Sequence, residues 1–354
     1  MEEKKDTLGM LDLVIRPGFC VKENQIIKVN QAAESLFITP GTDVRPLLLT
    51  GSEEYAAFTG GCLYLTLNLS SHSCGASVTR VDDIDVFLLE QESDNGELRS
   101  MALAARELRE PLTNVMITAD SLFPLCAAES SPRTAEQVAR LNRGLFQILR
   151  IIGNMSDAER CAAVSHQETV DIPALFAELF EKAETLVSHT GITLTYEGPD
   201  QPIYGLADRE QLERAVLNIL SNAIKFTPKG GTVTAKLTRS GRMLRLSVTD
   251  SGSGIAQSVR SSVFSRYLRQ PALEDSRYGI GLGMVLIRTA AAHHGGAVLI
   301  DQPEGVGTRI TMTMSIRQSK QATLRSNVLR VDYAGERDHG LIELSECLPT
   351  ELYE

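Results

Sequence analysis

The chain has 354 residues, 43% apolar, 23% charged and 5% aromatic, enough to bury more than one core and to divide into two or three domains. A formal charge of −10 argues against a nucleic-acid partner, since domains that bind nucleic acid carry a basic face. No apolar run approaches the roughly 20 residues that span a bilayer, and the N-terminus MEEKKDTLGM lacks the apolar core of a secretion signal, so a cytoplasmic protein without a membrane segment is expected.

Residues 1–90 read as short strands with few helical signals. DLVI (12–15) and IIKV (26–29) are strand candidates, and Leu63, Leu65, Leu67 and Leu69 alternate with Tyr64, Thr66 and Asn68 as on a half-buried strand. Short helices are expected within 31–37 and 54–58, between turns at Gly18, Pro40-Gly41, Gly51 and Gly60-Gly61. This is the pattern of a small α+β sensor-like domain. The polar stretch QESDNGELRS (91–100) separates it from a strongly helical region.

Residues 91–167 read as a helical hairpin. Met101, Leu108, Leu112, Val115, Ala119, Leu122 and Cys126 form a heptad seam, AESSPRT (128–134) makes a turn, and Val138, Leu141, Leu145, Ile148, Ile152 and Met155 form a second seam. Two helices of roughly 28 residues would each be about 40 Å long, with stripes too extended to cover themselves. Pairing with a second copy into a four-helix bundle, hence a homodimer, is the expected solution.

From 168 to 318, helices expected at 173–189, 209–226 and 283–294 alternate with strands whose faces are filled by Val233, Ala235 and Leu237, by Leu244, Leu246 and Val248, and by Ile310, Met312, Met314 and Ile316. Few strands are apolar on both sides, so an α/β sandwich with one open sheet face is expected, within a multidomain α+β chain. Residues 319–354 are a charged tail whose NVLRVDY and GLIELSECLP segments either add one strand or dock on a neighbour. The six cysteines, Cys20, Cys62, Cys74, Cys126, Cys161 and Cys347, show no ligand spacing and read as small apolar side chains.

Three features of the third block carry chemistry. On the 209–226 helix, Asn218, Asn222 and Lys225 share one face, rotated away from the apolar arc of Leu212, Val216, Ile219 and Ala223. Two carboxamide oxygens can enter the oxygen shell of a Mg²⁺ that also holds phosphates, and the ammonium adds a point charge. Taken alone, these residues are also what a solvated helix face carries. Next, Asp250-Ser-Gly-Ser-Gly254 follows a strand, placing a carboxylate able to accept the amino proton of adenine beside Gly252 and Gly254, where backbone can approach the base. Lastly, Gly279-Ile-Gly281-Leu-Gly283 opens an apolar helix, where backbone amides favour phosphate.

In this order the segments LNILSNAIKFTPKGG (217–231), VTDSGSGI (248–255), VFSRYLR (263–269), YGIGLGMVL (278–286), AAAHHGGAV (290–298) and GVGTRITM (305–312) resemble the N, first glycine, F, second glycine and closing boxes of the ATP-binding domain of sensor histidine kinases, whose GHKL-type fold is shared with type II topoisomerase, chaperone and mismatch-repair ATPases. The resemblance implies ATP and Mg²⁺ as cofactors. It implies Mg²⁺ ligation by Asn218 and Asn222, phosphate contacts by Lys225, Gly279, Gly281 and Gly283, adenine recognition by Asp250 with Gly252, Gly254 and Thr308, and a mobile lid carrying Arg266 and Arg269. A lid guanidinium can meet the phosphates or simply face solvent.

The hairpin is similar to the dimerisation and phosphoacceptor domain of the same kinases through ARELREPLTNV (105–115), with a departure: Arg106 stands where the family has its phosphoacceptor histidine. A guanidinium stays protonated and offers no lone pair to phosphorus, so Glu107, the adjacent carboxylate, lacks the histidine it would orient. Glu110 occupies the place of the Thr or Asn that aligns water for dephosphorylation. His166 is the one alternative acceptor near the hairpin. IIKVNQAAESLF (26–37) resembles a PAS sensor module. Two functions are therefore expected to compete. One is an ATP-dependent protein histidine kinase of a two-component system, partnered by a response regulator or another histidine kinase. The other is a non-catalytic ATP-binding regulator acting through protein contacts.

Overall fold

In the computed structural model, residues 9, 11–69, 72–91, 93–128, 132–163, 167–255, 263–264, 282–303, 307–317 and 337–353 are described. The N-terminal unit contains β1 (Gly18–Lys22), β2 (Gln25–Val29), α1 (Gln31–Glu34), α2 (Ser52–Ala56), β3 (Cys62–Asn68), β4 (Ser73–Val81) and β5 (Ile84–Leu89). Glu23 and Asn24, with φ of 49° and 64°, make the two-residue turn between β1 and β2 that right-twisted antiparallel strands require. Asn30 caps α1, its Oδ1 accepting from the Ala33 N–H at 3.0 Å. Residues 12–15, expected as strand, instead begin in the 3-10 turn Leu11–Leu13, where only Leu11 is buried and Leu13 and Ile15 are exposed.

The hairpin is longer than expected. α3 (Ser93–Ala128) and α4 (Pro132–Ala163) have 36 and 32 residues, or about 54 and 48 Å, and α3 absorbs most of the polar stretch read as a separator. Ala102, Ala105, Leu112, Met116 and Ala119 are buried on α3, with Phe146, Leu149 and Ile152 on α4. The seam seen in the sequence thus divides in two: Leu112 and Ala119 are buried, whereas Leu108, Val115 and Leu122, seven residues apart, are each about half exposed, as is Ile148.

The third block comprises β6 (Glu168–Asp171), α5 (Ile172–Ser188), β7 (Thr193–Glu197), β8 (Tyr204–Ala207), α6 (Arg209–Phe226), β9 (Thr232–Ser240), β10 (Met243–Asp250), α7 (Leu282–His293), β11 (Val298–Asp301) and β12 (Arg309–Ser315). β9 alternates strictly: Val233, Ala235 and Leu237 are buried, while Thr232, Thr234, Lys236 and Thr238 are exposed, giving the expected open face.

The two α+β units are not separate layers. A ten-stranded sheet runs β2-β1-β5-β4-β3-β11-β12-β10-β9-β7, and its centre is the antiparallel pairing of β3 with β11, with Leu63 opposite Leu299 and Tyr64 opposite Val298. Among the described strands, only β7 and β9 pair in parallel. This junction explains why β3 departs from the half-buried pattern. Flanked by β4 and β11, it buries Leu63, Leu65 and Leu67 on one face and Cys62 and Tyr64 on the other. The Tyr64 ring packs 5.6 Å from Phe264, and Arg288 of α7 lies over it at 5.1 Å while pairing with Glu90.

Of the tail, residues 337–353 form α8 (His339–Glu343) and a 3-10 turn, Thr350–Tyr353, packed on α4, α5 and α6 rather than added to a sheet. NVLRVDY (327–333) lies outside the described residues. No helix among the described residues is long and apolar enough to cross a membrane.

Candidate nucleotide-binding site

The site is organised by α6. Asp208 starts this helix, its Oδ1 accepting from the Gln211 N–H at 3.2 Å, and Leu212, Ala215, Val216, Ile219 and Ala223 pin one side into the core. The opposite side, which carries the two amides and the ammonium, is also covered. Asn218 is 1% exposed and Lys225 only 13% in its side chain, because α4, α7 and the C-terminal segment close over it.

Asn218 donates from Nδ2 to the Arg214 carbonyl at 2.9 Å, whereas its buried Oδ1 has no hydrogen-bond partner among the described residues. That oxygen faces the start of α7: a Cβ added at Gly283 would come within 2.9 Å of it. Asn222, one turn on, points its Nδ2 at the Met284 sulfur at 3.8 Å. A buried carboxamide oxygen without a donor is costly, and it suits a hard cation that prefers oxygen ligands. Asn218 and Asn222 therefore fit a Mg²⁺, which would neutralise phosphate charge when bound.

Asp250, at the end of β10, is 7% exposed. Its Oδ1 accepts from the Gly252 N–H at 2.8 Å and the Thr308 N–H at 3.2 Å. Burial pushes its pKa above the usual carboxylate value, and the hydrogen bonds from Gly252 and Thr308 oppose that shift. Gly252 is needed for space, since a Cβ there would meet the Phe226 carbonyl at 2.3 Å. Gly254 has φ +75° and lies against Gln302. Thr308 is 8% exposed and shares with Gly61, Cys62 and Ile255 the lining of a small crevice, which brings the N-terminal unit to the edge of the site.

The structure thus brings Asn218, Asn222, Lys225 and Gly283 together around α6 and the start of α7, with Asp250, Gly252, Gly254 and Thr308 at the end of the sheet. Arg266, Arg269, Gly279, Gly281 and His166 lie outside the described residues. Arg106, Glu107 and Glu110 are exposed on α3.

Sequence reasoning missed a buried ionic network beside the amides. Arg214 of α6 donates to Asn154 Oδ1 of α4 at 2.8 Å and pairs with Glu343 of α8 at 3.2 Å. Arg150 of α4 pairs with Glu343 at 3.4 Å and Glu346 at 3.0 Å, and donates to Ser221 at 3.0 Å. Lys225, expected to touch phosphate, pairs with Glu346 at 2.8 Å. Burial works against the Arg150 charge, but Glu343 and Glu346 outweigh it and raise its pKa. Burial likewise opposes ionisation of Glu346, yet Arg150 and Lys225 hold its pKa below the usual value. The available signals were Arg214, four residues before Asn218 on an otherwise buried face, and Glu343 lying between apolar neighbours.

Residues 207–318 match the family described as histidine kinase-, DNA gyrase B- and HSP90-like ATPase. The chain is 29% identical over 276 residues to an uncharacterized sensor-like histidine kinase of Rhizobium meliloti, an alignment covering 73% of this chain and 52% of that one. It is 28% identical over 264 residues to the adaptive-response sensory kinase SasA of a Synechocystis species, covering 70% and 68%. The chain therefore spans about half the length of the Rhizobium relative. Among solved structures, full-length ShkA in complex with AMPPNP is similar in fold, with a TM-score of 0.51 and 23% identity over 64% of this chain and 47% of that one. Residues 207–318 thus match this ATPase family, and about 70% of the chain is similar to proteins named as sensor histidine kinases.

Proposed function

We propose that this sensor-histidine-kinase homologue binds Mg-ATP and works as a nucleotide-dependent regulator in two-component signalling, without phosphorylating its own hairpin. The observation that carries nucleotide binding is the pairing of an orphaned Asn218 Oδ1 with the buried Asp250–Thr308 pair, one suited to a cation and the other to an adenine amine. The observation that argues against self-phosphorylation is Arg106, exposed on α3 where the family places its histidine.

The five-stranded antiparallel N-terminal unit supports a PAS-like sensor module over residues 1–90, followed by a dimerising hairpin to 167, the ATP-binding domain to 318 and the tail to 354. The half-exposed Leu108, Val115 and Leu122 support a homodimer, with a response regulator or another histidine kinase as the downstream partner. Incubation with γ-labelled ATP tests the reading. The parent should acquire no acid-labile phosphate, and Arg106→His should acquire some, because Glu107, Leu108, Arg109 and Pro111 already surround the position. Strong acid-labile labelling of the parent would show that a different histidine serves and that the chain is a kinase.

A further inference from the structure

We propose that residues 337–353 are an intrasteric ligand of the cleft between α4 and α6, in which Glu346 takes from Lys225 the place of a nucleotide phosphate oxygen. The inference rests on the ATP-binding reading above and adds a regulation to it.

The cleft holds this segment by both its backbone and its side chains. Arg143 donates to the Ser345 and Glu346 carbonyls at 2.9 and 3.1 Å, Gln147 to Ser345 at 3.2 Å and Asn142 to the Tyr353 carbonyl at 2.9 Å. Ile342, Leu344 and Leu348 are fully buried, and Tyr353 meets Phe146 edge-on at 5.2 Å. Asp338 caps α8 through the Leu341 N–H at 3.0 Å. An acidic, apolar segment is thus seated as a peptide in a cationic groove.

The two carboxylates do different work. Glu343 is wholly buried between Arg150 and Arg214 and fixes the seat. Glu346 sits at the rim, its side chain 29% exposed, and one oxygen, Oε2, reaches both Arg150 of the hairpin at 3.0 Å and Lys225 of α6 at 2.8 Å. A carboxylate and a phosphate oxygen satisfy an ammonium in the same way. With the segment docked, Lys225 is engaged and α6 is tied to α4. With it displaced, the ammonium is released to a triphosphate and the links that run through Glu343 and Glu346 are cut, while the direct bonds Arg214–Asn154 and Arg150–Ser221 remain. Apparent ATP affinity then carries the cost of displacing the segment.

The test uses the full chain. Calorimetric titration with Mg-ATP should show roughly three- to tenfold tighter binding in Glu346→Gln than in the parent, with adenosine binding unchanged because it carries no phosphate. Independently of any variant, hydrogen exchange of the parent should show that Mg-ATP exposes the amides of Leu344, Cys347 and Leu348, which are protected by bonds to Gly340 and Leu344 carbonyls. Equal ATP affinity in parent and variant, or unchanged protection at saturating ATP, overturns the competition alone. Absence of ATP binding in both proteins overturns the nucleotide reading and the competition with it.

Discussion

Glu343→Gln isolates the ionic network that joins the C-terminal segment, the hairpin and the nucleotide-site helix. Glu343 is 0% exposed and contacts Arg150 at 3.4 Å and Arg214 at 3.2 Å. At an effective dielectric of about 20, each contact is worth about 5 kcal/mol in gross attraction, which is offset by several kcal/mol of desolvation per ion. In the parent, Arg150, Arg214 and Lys225 face Glu343 and Glu346; the substitution leaves three cations around one carboxylate. Breaking a buried pair from one side costs about 3–5 kcal/mol, and the lower end applies because Glu346 still serves Arg150. With a urea slope near 3 kcal/mol/M, the midpoint followed by far-ultraviolet circular dichroism should fall by about 1 M. Arg214→Leu in the Glu343→Gln background should cost less than the two changes summed, since it removes a cation that the first change stranded. A midpoint shift below about 0.3 M, or additivity of the two changes, would mean that the network is solvated and that the segment is held by its apolar side chains and its backbone hydrogen bonds.

Asp250→Asn presents a donor where adenine offers one, and should weaken ATP binding roughly 10- to 150-fold with or without metal; Asn222→Ala should weaken only the magnesium-dependent part, and titrations in Mg²⁺ and in chelator separate the two. Aspartate at both Val115 and Ile148, 51% and 46% exposed on the hairpin, should convert a sedimenting dimer into a monomer by placing unpaired charge in the interface, and an unchanged dimer would remove this face from the assembly. His294 is buried, with Nδ1–H donating to the Ala290 carbonyl at 2.6 Å and Nε2 accepting from the Asp208 N–H at 3.0 Å, so burial holds its pKa below 6.5. The unfolded chain then binds the extra proton as pH falls through about 6.5, and stability is lost toward acid; the melting temperature should drop between about pH 7.5 and 5.5, and drop less in His294→Gln.

Much of the nucleotide site was legible from local pattern. The 209–226 helix appears at its expected bounds, because an Asp208 cap and an apolar arc at helical spacing specify the same element. β9, β10 and β12 lie where alternation put them, and the Asp250 to Gly254 loop places its carboxylate against Thr308, far along the chain but reached by the pairing of β10 with β12. These features are local, or follow from strand periodicity, so residue type and spacing suffice to reveal them. The reading of 12–15 as strand failed because three consecutive apolar residues carry no information on whether a partner strand is present.

What tertiary structure alone decided is where separately legible pieces meet. Nothing in Cys62–Asn68 distinguishes a sheet edge from a sheet centre; the pairing with β11 arises because both strands present free edges of compatible register, and it buries Tyr64 where alternation placed a half-covered residue. The burial of Lys225 has the same origin. Helical spacing showed that Asn218, Asn222 and Lys225 share a face, but what covers that face comes from α4 and from a segment more than a hundred residues away, and the charges of Arg150, Arg214, Glu343 and Glu346 reveal themselves as partners only once folding has removed them from water.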